Sequence, residues 1–559
     1  MKRQFILLFV ALWAVCSFAD DFPKSVTKAR QSVASVVTYR QGVMLHNGTA
    51  VFVGNNGDVL SSYSLFAGAD SAVVIDSKGV ARTVNHIVGV NSILDCIRVR
   101  VAAGKKIKPL AASSAPVAVD GTLYMLGYGI GKGGFIERAK VERVDSAYSC
   151  AYYTLARPME QRFLSLPLVD GNGELVAVMQ PASAVDTVKS YAIGASVYEL
   201  LDVSVADYGR GFYPSMGIRT ALPAKKEDAL SCLYMQTILG DSASYGGVIR
   251  DFISAYPDSY EGYIARAEFE AVLQGDVNAA VKSWDKAFKL AGNKAEVHFA
   301  KAKVINTLVL AGDTVSHPLL SFANAISEAD KAIALGNQPL YIVGKADMLY
   351  SHGDYAAAAT CYALLADTEL RSADNFAKAA QCYSNMKEYD KSVAMLDSAL
   401  CCFDEVSEKS SAPYILTRAL VNSAAAKHRE AVLDYNRYEE LMAGSLGADF
   451  YYLREQAELN AKMYQQALND IDTAIYLDPQ NVGYYIEKGL LCYRVKLSDE
   501  GIRVLEDAMK IAPSSPDVYY LLGRLYVQKN DNRKALPLLE KAVELGHPDA
   551  GNIISRLAE

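Results

Sequence analysis

The side chains able to do covalent chemistry in this sequence gather in its first third, where Ser64, Asp95 and Ser165 occur with His46 and His86. A serine, a histidine that takes its proton and an aspartate that orients the histidine make an acyl-transfer nucleophile. The types are present, but their placement is poor. His86 stands only a few residues before Asp95, His46 lies in a preceding turn region, and Ser64 carries no group that accepts a proton near neutral pH. A second set, "LGYGIGKGG" (Leu126 to Gly134), has the glycines and the lysine, Lys132, of a phosphate loop. No Ser or Thr follows Lys132, however, and "FIERAKVERV" reads as a strand, not as a helix whose N-terminus would hold phosphate. The cysteines form no CxxC pair and the histidines are scattered, so neither a metal nor a cofactor is expected.

The elements that must position these residues fall into two classes. From Ser25 to Leu201, short β-rich runs alternate with Gly, Asp and Asn turns: "SVASVVTYR", "GTAVFVG", "SAVVIDS", "DCIRVRV", "TLYMLGYG" and "LPLVDGNGELVAVMQ". Asp170-Gly171-Asn172-Gly173 between apolar runs is a hairpin signal, and many short strands at this spacing predict a sandwich or barrel. Residues 205–225 read as a linker from their Gly, Pro and polar content, and 226–256 as a helical cap. Beyond 257 the chain repeats itself. Gly489 to Gly523 and Pro479 to Pro513 are both steps of 34 residues, and Ala346, Ala358 and Leu365 move by the same step to Ala380, Ser392 and Ala399.

This period, with its helix-turn-helix pattern, resembles tetratricopeptide repeats. About eight copies fill 257–559, anchored at Glu268, Ala302, Ala346, Ala380, Ala419, Glu455, Gly489 and Gly523. Glu268 and Glu455 stand where a small residue is usual, which predicts distortion there, and a longer interval predicts an insertion near 312–320. The resemblance implies a superhelix that binds a protein or peptide along the first helices of its repeats. Carried over position by position, the groove residues are Tyr452, Gln456, Ile486, Leu490, Tyr520 and Arg524.

The first part resembles the trypsin-like proteases of the HtrA type. "GDVLSSYSLFAGAD" (Gly57 to Asp70) follows their "G-x-I-L-T-N-x-H-V-V-x-G-A", with Ser64 at the histidine; "DCIRVRV" follows the aspartate strand, with Asp95 at the triad aspartate. "LSLPLVDGNGELVAV" follows the nucleophile region, and the shared Pro167-Leu168-Val169 sets Leu164 at the serine. "YAIGASVYELL" resembles the helix that closes the domain. The fold implied for residues 25–204 is an all-β trypsin-like double barrel, followed by an all-α tetratricopeptide-repeat superhelix. Ser64 and Leu164 imply a pseudoprotease. The glycines that flank the nucleophile are replaced by Arg162, Ser165 and Leu166, which weakens the oxyanion hole. Ser165 is the candidate for a rearranged site, and Asp95 reads either as a surviving triad member or as a strand-start carboxylate bonded to backbone or to Ser64.

Met1 to Ala19 reads as a secretory signal: Lys2 and Arg3, an apolar run from Phe5 to Val15, then Ser17-Phe18-Ala19. Its loss leaves no transmembrane segment and makes the net charge of −7 two units more negative, so no nucleic-acid partner is expected. The expectation is an exported scaffold or adaptor, in the periplasm or on the extracellular side of a bacterial envelope. The alternatives are an active serine protease with a non-standard site and a periplasmic chaperone.

Overall fold

The computed structural model describes residues 22–54, 56–102, 108–131, 133–181, 188–210, 213–239, 242–312, 317–404, 409–442 and 446–558. The secretory signal and Lys132 lie outside them. The chain divides into two compact units, Met1–Phe269 and Glu270–Glu559.

The first unit opens with two six-stranded antiparallel barrels. β1 (Val33–Arg40), β2 (Val43–Val53), β3 (Asp58–Ser61), β4 (Ser71–Ile75), β5 (Ala81–Asn91) and β6 (Cys96–Val101) close in the order β1-β2-β3-β6-β5-β4. β7 (Thr122–Leu126), β8 (Ile136–Ala147), β9 (Cys150–Leu155), β10 (Pro167–Val169), β11 (Leu175–Met179) and β12 (Ser190–Gly194) close as β10-β11-β12-β9-β8-β7. These are the two barrels expected from the sequence of this region. Successive side chains of a strand face opposite ways. On β2, Ala50 and Phe52 therefore enter the core of the first barrel, while Val51 and Val53 join Leu126, Val169 and Ile193 of the second in a shared apolar seam. The hairpin predicted at 170–173 joins β10 to β11, closed by the Gly173 N–H on the Asp170 carbonyl at 3.1 Å. Gly173 has φ +80, and a Cβ there would lie 2.8 Å from the Ser25 carbonyl oxygen. The "YAIGASVYELL" segment becomes β12 and only a single helical turn, Val197–Leu200.

Residues 205–225 do not hang free as a linker. Their glycines and prolines mark turns, but Tyr208, Tyr213, Met216 and Ile218 are buried in the first barrel's core cluster. The Ile87 N–H donates to the Arg219 carbonyl and the Ala221 N–H to the Ile87 carbonyl, both at 2.8 Å, so the segment adds a bridge beside β5. The cap helices Lys226–Leu239 and Ser242–Ala255 continue this packing: Cys232, Leu233, Ile249 and Phe252 share the same cluster, and His86 Nε2 lies 2.9 Å from Asp251 Oδ2. The helix Tyr260–Glu268 follows and loosens into a π turn over Phe269–Leu273, where the distorting Glu268 was expected.

The second unit is a run of helix pairs, Ala295–Ala311 with Phe322–Gly336, Pro339–Ser351 with Tyr355–Ala363, Ala373–Asn385 with Tyr389–Leu400, Ala412–Ala424 with His428–Met442, Ala448–Asn460 with Tyr464–Leu477, Val482–Arg494 with Ser498–Ile511 and Pro516–Gln528 with Asn532–Glu544. Small residues sit where partners touch. A Cβ at Gly489 would come within 2.7 Å of Leu505, one at Gly523 within 2.7 Å of Leu539, and one at Gly501 within 2.9 Å of Leu525. The turns keep the same register: Gly353, Lys387, Ala426, Lys462, Lys496 and Asn530 all adopt left-handed φ just before the second helix of their pair. Asp354 and Asp531 then cap those helices by accepting from the N–H of Ala357 and Lys534. A final helix, Ala550–Ala558, follows the last pair.

Candidate functional site

The first candidate is the cleft of the double barrel. Asp95 enters β6 with φ +45, a left-handed conformation that Asp tolerates better than most residues. Its carboxylate accepts from the Ser64 backbone N–H at 2.6 Å, from Ser64 Oγ at 3.1 Å and from Ser62 Oγ. The structure thus brings two of the aligned triad positions together, with a hydroxyl where an imidazole would stand. Ser64 donates and has no ring nitrogen to pass a proton onward.

The nucleophile region is built from a tight turn, Gln161–Phe163, entering β10. The Leu164 N–H donates to the Gln161 carbonyl at 3.2 Å and the Ser165 N–H to the Met179 carbonyl at 3.2 Å. The Leu164 amide, which belongs to the nucleophile position and would face an oxyanion, is therefore spent inside the fold. Leu164 is half-buried and lines a cleft of about 570 Å³ with Leu65, His46, Gly48, Tyr128 and Arg162. Leu65 covers Gly48 so closely that a Cβ there would lie 2.4 Å from its Cδ1. Ser165 is fully buried at φ +61, and its hydroxyl has no hydrogen-bond partner among the described residues. A buried hydroxyl cannot reach a substrate carbonyl in this arrangement. His46 lies at the cleft mouth, whereas His86 is paired with Asp251 on the helical cap.

The second candidate is the helical array. Ile486, Leu490 and Tyr520 pack on one apolar cluster with Leu521, Leu525 and Ile502. Tyr452 contacts the Tyr484 ring at 5.4 Å, in the neighbouring pair, and Gln456 donates to Glu455 Oε2 at 2.7 Å. Tyr520 and Arg524 line a cavity of about 450 Å³ with residues of the final helix, Asn552, Ile553 and Arg556. Of the tyrosine doublets at the starts of repeats, Tyr484 is buried, while Tyr451, Tyr452, Tyr519 and Tyr520 stay half-buried.

Sequence reasoning missed an ionic ladder inside this array. A basic residue precedes the small anchor position in several repeats and meets an acid of a neighbouring helix: Lys301 with Glu328, Lys345 with Asp330, Arg418 with Asp434, Arg454 with Asp470 and Lys488 with Asp472. The signal was present in the 34-residue register, one place before the residues used to find it. Beside Arg454, Glu455 and Glu458 are buried, at 0% and 3% exposure, each with one carboxylate oxygen lacking a partner among the described residues. Burial pushes both carboxyls up to about 8, aided by the charge of Glu487 on Glu455 and of Asp470 on Glu458. The helix Ala448–Asn460 is nonetheless regular through Glu455.

Residues 498–554 match the tetratricopeptide repeat family. The helix pairs before residue 498 share the small-residue contacts and left-handed turns of this matched segment. The mitochondrial import receptor subunits TOM70 of Rattus norvegicus and Homo sapiens are each 30% identical over 99 residues, 18% of this chain. The match spans 16% of those relatives' length. Among solved structures, the serine endoprotease of Yersinia pestis is similar over 32% of this chain and 63% of its own, with 14% identity and a TM-score of 0.28. The Rv3671c protease of M. tuberculosis in its active form covers 32% of this chain and 86% of its own at 18% identity and TM-score 0.28. YrrB, a TPR protein with an unusual peptide-binding site, covers 35% of this chain and 99% of its own at 18% identity and TM-score 0.29. Among the described residues, no helix is long and apolar enough to cross a membrane and no group of His, Cys, Asp or Glu has the geometry of a metal site.

Proposed function

We propose that this chain is an exported protein-binding scaffold whose repeat array recognises a protein or peptide and whose barrel domain is a pseudoprotease. The observation that carries the reading is the occupation of the triad positions. Asp95 accepts from the hydroxyls of Ser62 and Ser64 and the Ser64 N–H, and Leu164 places an aliphatic chain where a nucleophile would stand. Catalysis by this triad needs a base and a nucleophile in contact, and loss of members leaves only residual rate. Binding surfaces then remain as the means of function. Half-buried Tyr452, Tyr520 and Arg524 are of the types that anchor interfaces, and half-buried Ile486 and Leu490 add apolar surface beside them. The matched relatives are named import receptor subunits, a binding duty. The bacterial envelope as the place of action rests on the Met1–Ala19 composition.

The test is mild crosslinking in the native envelope, purification of the chain and mass spectrometry of what is retained. One or two reproducible partners, lost when Tyr452, Ile486 and Tyr520 are replaced together by alanine, support the scaffold reading. A broad set of unfolded chains means a chaperone, and clipped chains whose formation stops in Ser165→Ala mean a protease; either result removes the proposal.

A further inference from the structure

We infer that the cavity between the last repeat and the final helix is an acidic-peptide site, in which Arg524 and Arg556 clamp one aspartate or glutamate side chain of an extended segment while Val527, Ile553 and Leu557 receive an adjoining apolar side chain. The inference rests on the groove reading above and names what that groove takes at this end.

Three observations carry it. The first is the state of Arg524. Its guanidinium lies over the Tyr493 ring at 4.1 Å and over the Tyr520 ring at 5.4 Å, and Tyr520 is itself stacked on His547 with ring centroids 3.8 Å apart. Such stacking fixes the plane of the guanidinium while leaving its N–H edge available. The second is the contrast with the ladder. Lys301, Lys345, Arg418, Arg454 and Lys488 each have a carboxylate within the array, whereas among the described residues no carboxylate pairs with Arg524 or Arg556. An oriented arginine with aromatic neighbours and no carboxylate of its own chain in contact has the chemistry that receives an anion. The third is the cavity itself, about 450 Å³, which both arginines line together with the apolar side chains of Val527, Ile553 and Leu557.

The charge balance selects the anion. Asp549 lines the same cavity, so two guanidiniums and one carboxylate leave a single positive charge, which suits a monoanionic carboxylate better than a dianionic phosphate. Recognition by side-chain guanidiniums also favours an acidic side chain over a chain terminus, which is captured mainly by backbone N–H groups. Gln528 takes no part in binding. Its amide is committed to Ser498 Oγ at 2.7 Å and the Tyr493 carbonyl at 3.0 Å, and it holds the Tyr493 platform in place.

The experiment uses the full chain and fluorescence anisotropy. The probe is a fluorescein-labelled, C-terminally amidated peptide, Gly-Ser-Gly-Leu-Glu-Leu-Gly-Ser-Gly, compared with its Gln and phosphoserine counterparts at the Glu position and with a peptide whose only anion is a free C-terminus. The Glu peptide is expected to bind at least about tenfold more tightly than the others, from charge-assisted hydrogen bonds in a partly dry site. Arg524→Gln is expected to erase that preference, Arg524→Lys to leave only part of it, and Arg556→Gln to reduce it. Arg533→Gln, on an exposed position outside the cavity, keeps it. Thermal unfolding by circular dichroism checks that each variant is folded. Equal binding of the Glu and Gln peptides, a preference for phosphoserine or for the free terminus, survival of the Glu preference in Arg524→Gln, or no binding of any probe overturns the inference. The scaffold reading has its own readout in the crosslinked partner lost with Tyr452, Ile486 and Tyr520, so the two can fail separately.

Discussion

Glu455 and Glu458 should make the array less stable as the pH rises. Their carboxyls titrate at about 8 in the folded chain against an ordinary 4.5, so between those values the folded state holds protons that the unfolded chain has released. The stabilisation they confer is whole below the unfolded value and is lost as pH climbs through about 8. One pH unit is worth about 1.4 kcal/mol for each carboxyl that titrates independently. Going from about pH 6 to about pH 8 therefore removes about 3 kcal/mol if the neighbouring pair releases one proton between them and about 5 kcal/mol if each behaves alone. The measurement is the urea midpoint of the helical signal by far-ultraviolet circular dichroism at steps across that range. The comparison is with Glu455→Gln combined with Glu458→Gln, because the amide keeps the shape and cannot ionise. Absolute stability at acid pH can shift in either direction when new amide donors are buried, so the slope is the quantity to compare. A double variant that retains the full wild-type pH slope would refute the reasoning.

Arg454, on the same helix as these carboxyls, grips Asp470 through two hydrogen bonds of 2.6 and 2.9 Å. Arg454→Leu is expected to destabilise the array by about 3–5 kcal/mol, since it leaves the buried Asp470 carboxylate without its counter-charge, and Arg454→Lys to recover only part of that in the same urea titration. Ser165→Gly should stabilise the barrel unit by about 1 kcal/mol, because glycine removes a left-handed serine and its unpartnered buried hydroxyl; calorimetry on the full chain reads the shift in the barrel transition. Asp58 has the opposite pH dependence to the glutamates. Burial works to raise its pKa, but hydrogen bonds from Arg100 and Arg98 outweigh it and hold the carboxyl below the ordinary value of 3.8. Its contribution is present above that value and is lost as pH falls through the folded one. Asp58→Asn is expected to destabilise the barrel unit at neutral pH and to weaken its sensitivity to acid, as followed by the barrel transition at pH steps down to about 3.

The parts of the fold that were legible in the sequence are those with a period. β2 could be read because its alternation serves two cores, and Gly489 and Gly523 could be placed because close helix contact excludes larger residues at a fixed step. Residues 205–225 were misread for a physical reason: turns at glycines and prolines interrupt any pattern, so the burial of Tyr208, Tyr213, Met216 and Ile218 has no periodic trace. In the barrel cleft, the identities of residues 64, 95 and 164 were readable from neighbouring motifs. Ser64 and nearby backbone were already legible as partners for Asp95, whereas the share of Ser62 in that carboxylate and the full burial of Ser165 depend on packing between segments far apart in the chain and left no local mark. The cavity at Arg524 was half visible, since Tyr520 and Arg524 follow from the repeat register, while Asn552, Ile553 and Arg556 lie past the last repeat, where that register ends.

The bridge beside β5 also sets how the molecule can be taken apart. A protease-like region cut from the chain near residue 204 would lose Tyr208, Tyr213, Met216, Ile218 and the cap helices, and would turn the apolar side of its first barrel toward water. Such a fragment is a candidate for aggregation, and any inactivity it displayed would report on a damaged surface and say nothing of the triad. The smallest piece fit for an assay extends through Phe269. A screen that trimmed fragments by sequence likeness alone would stop short of it.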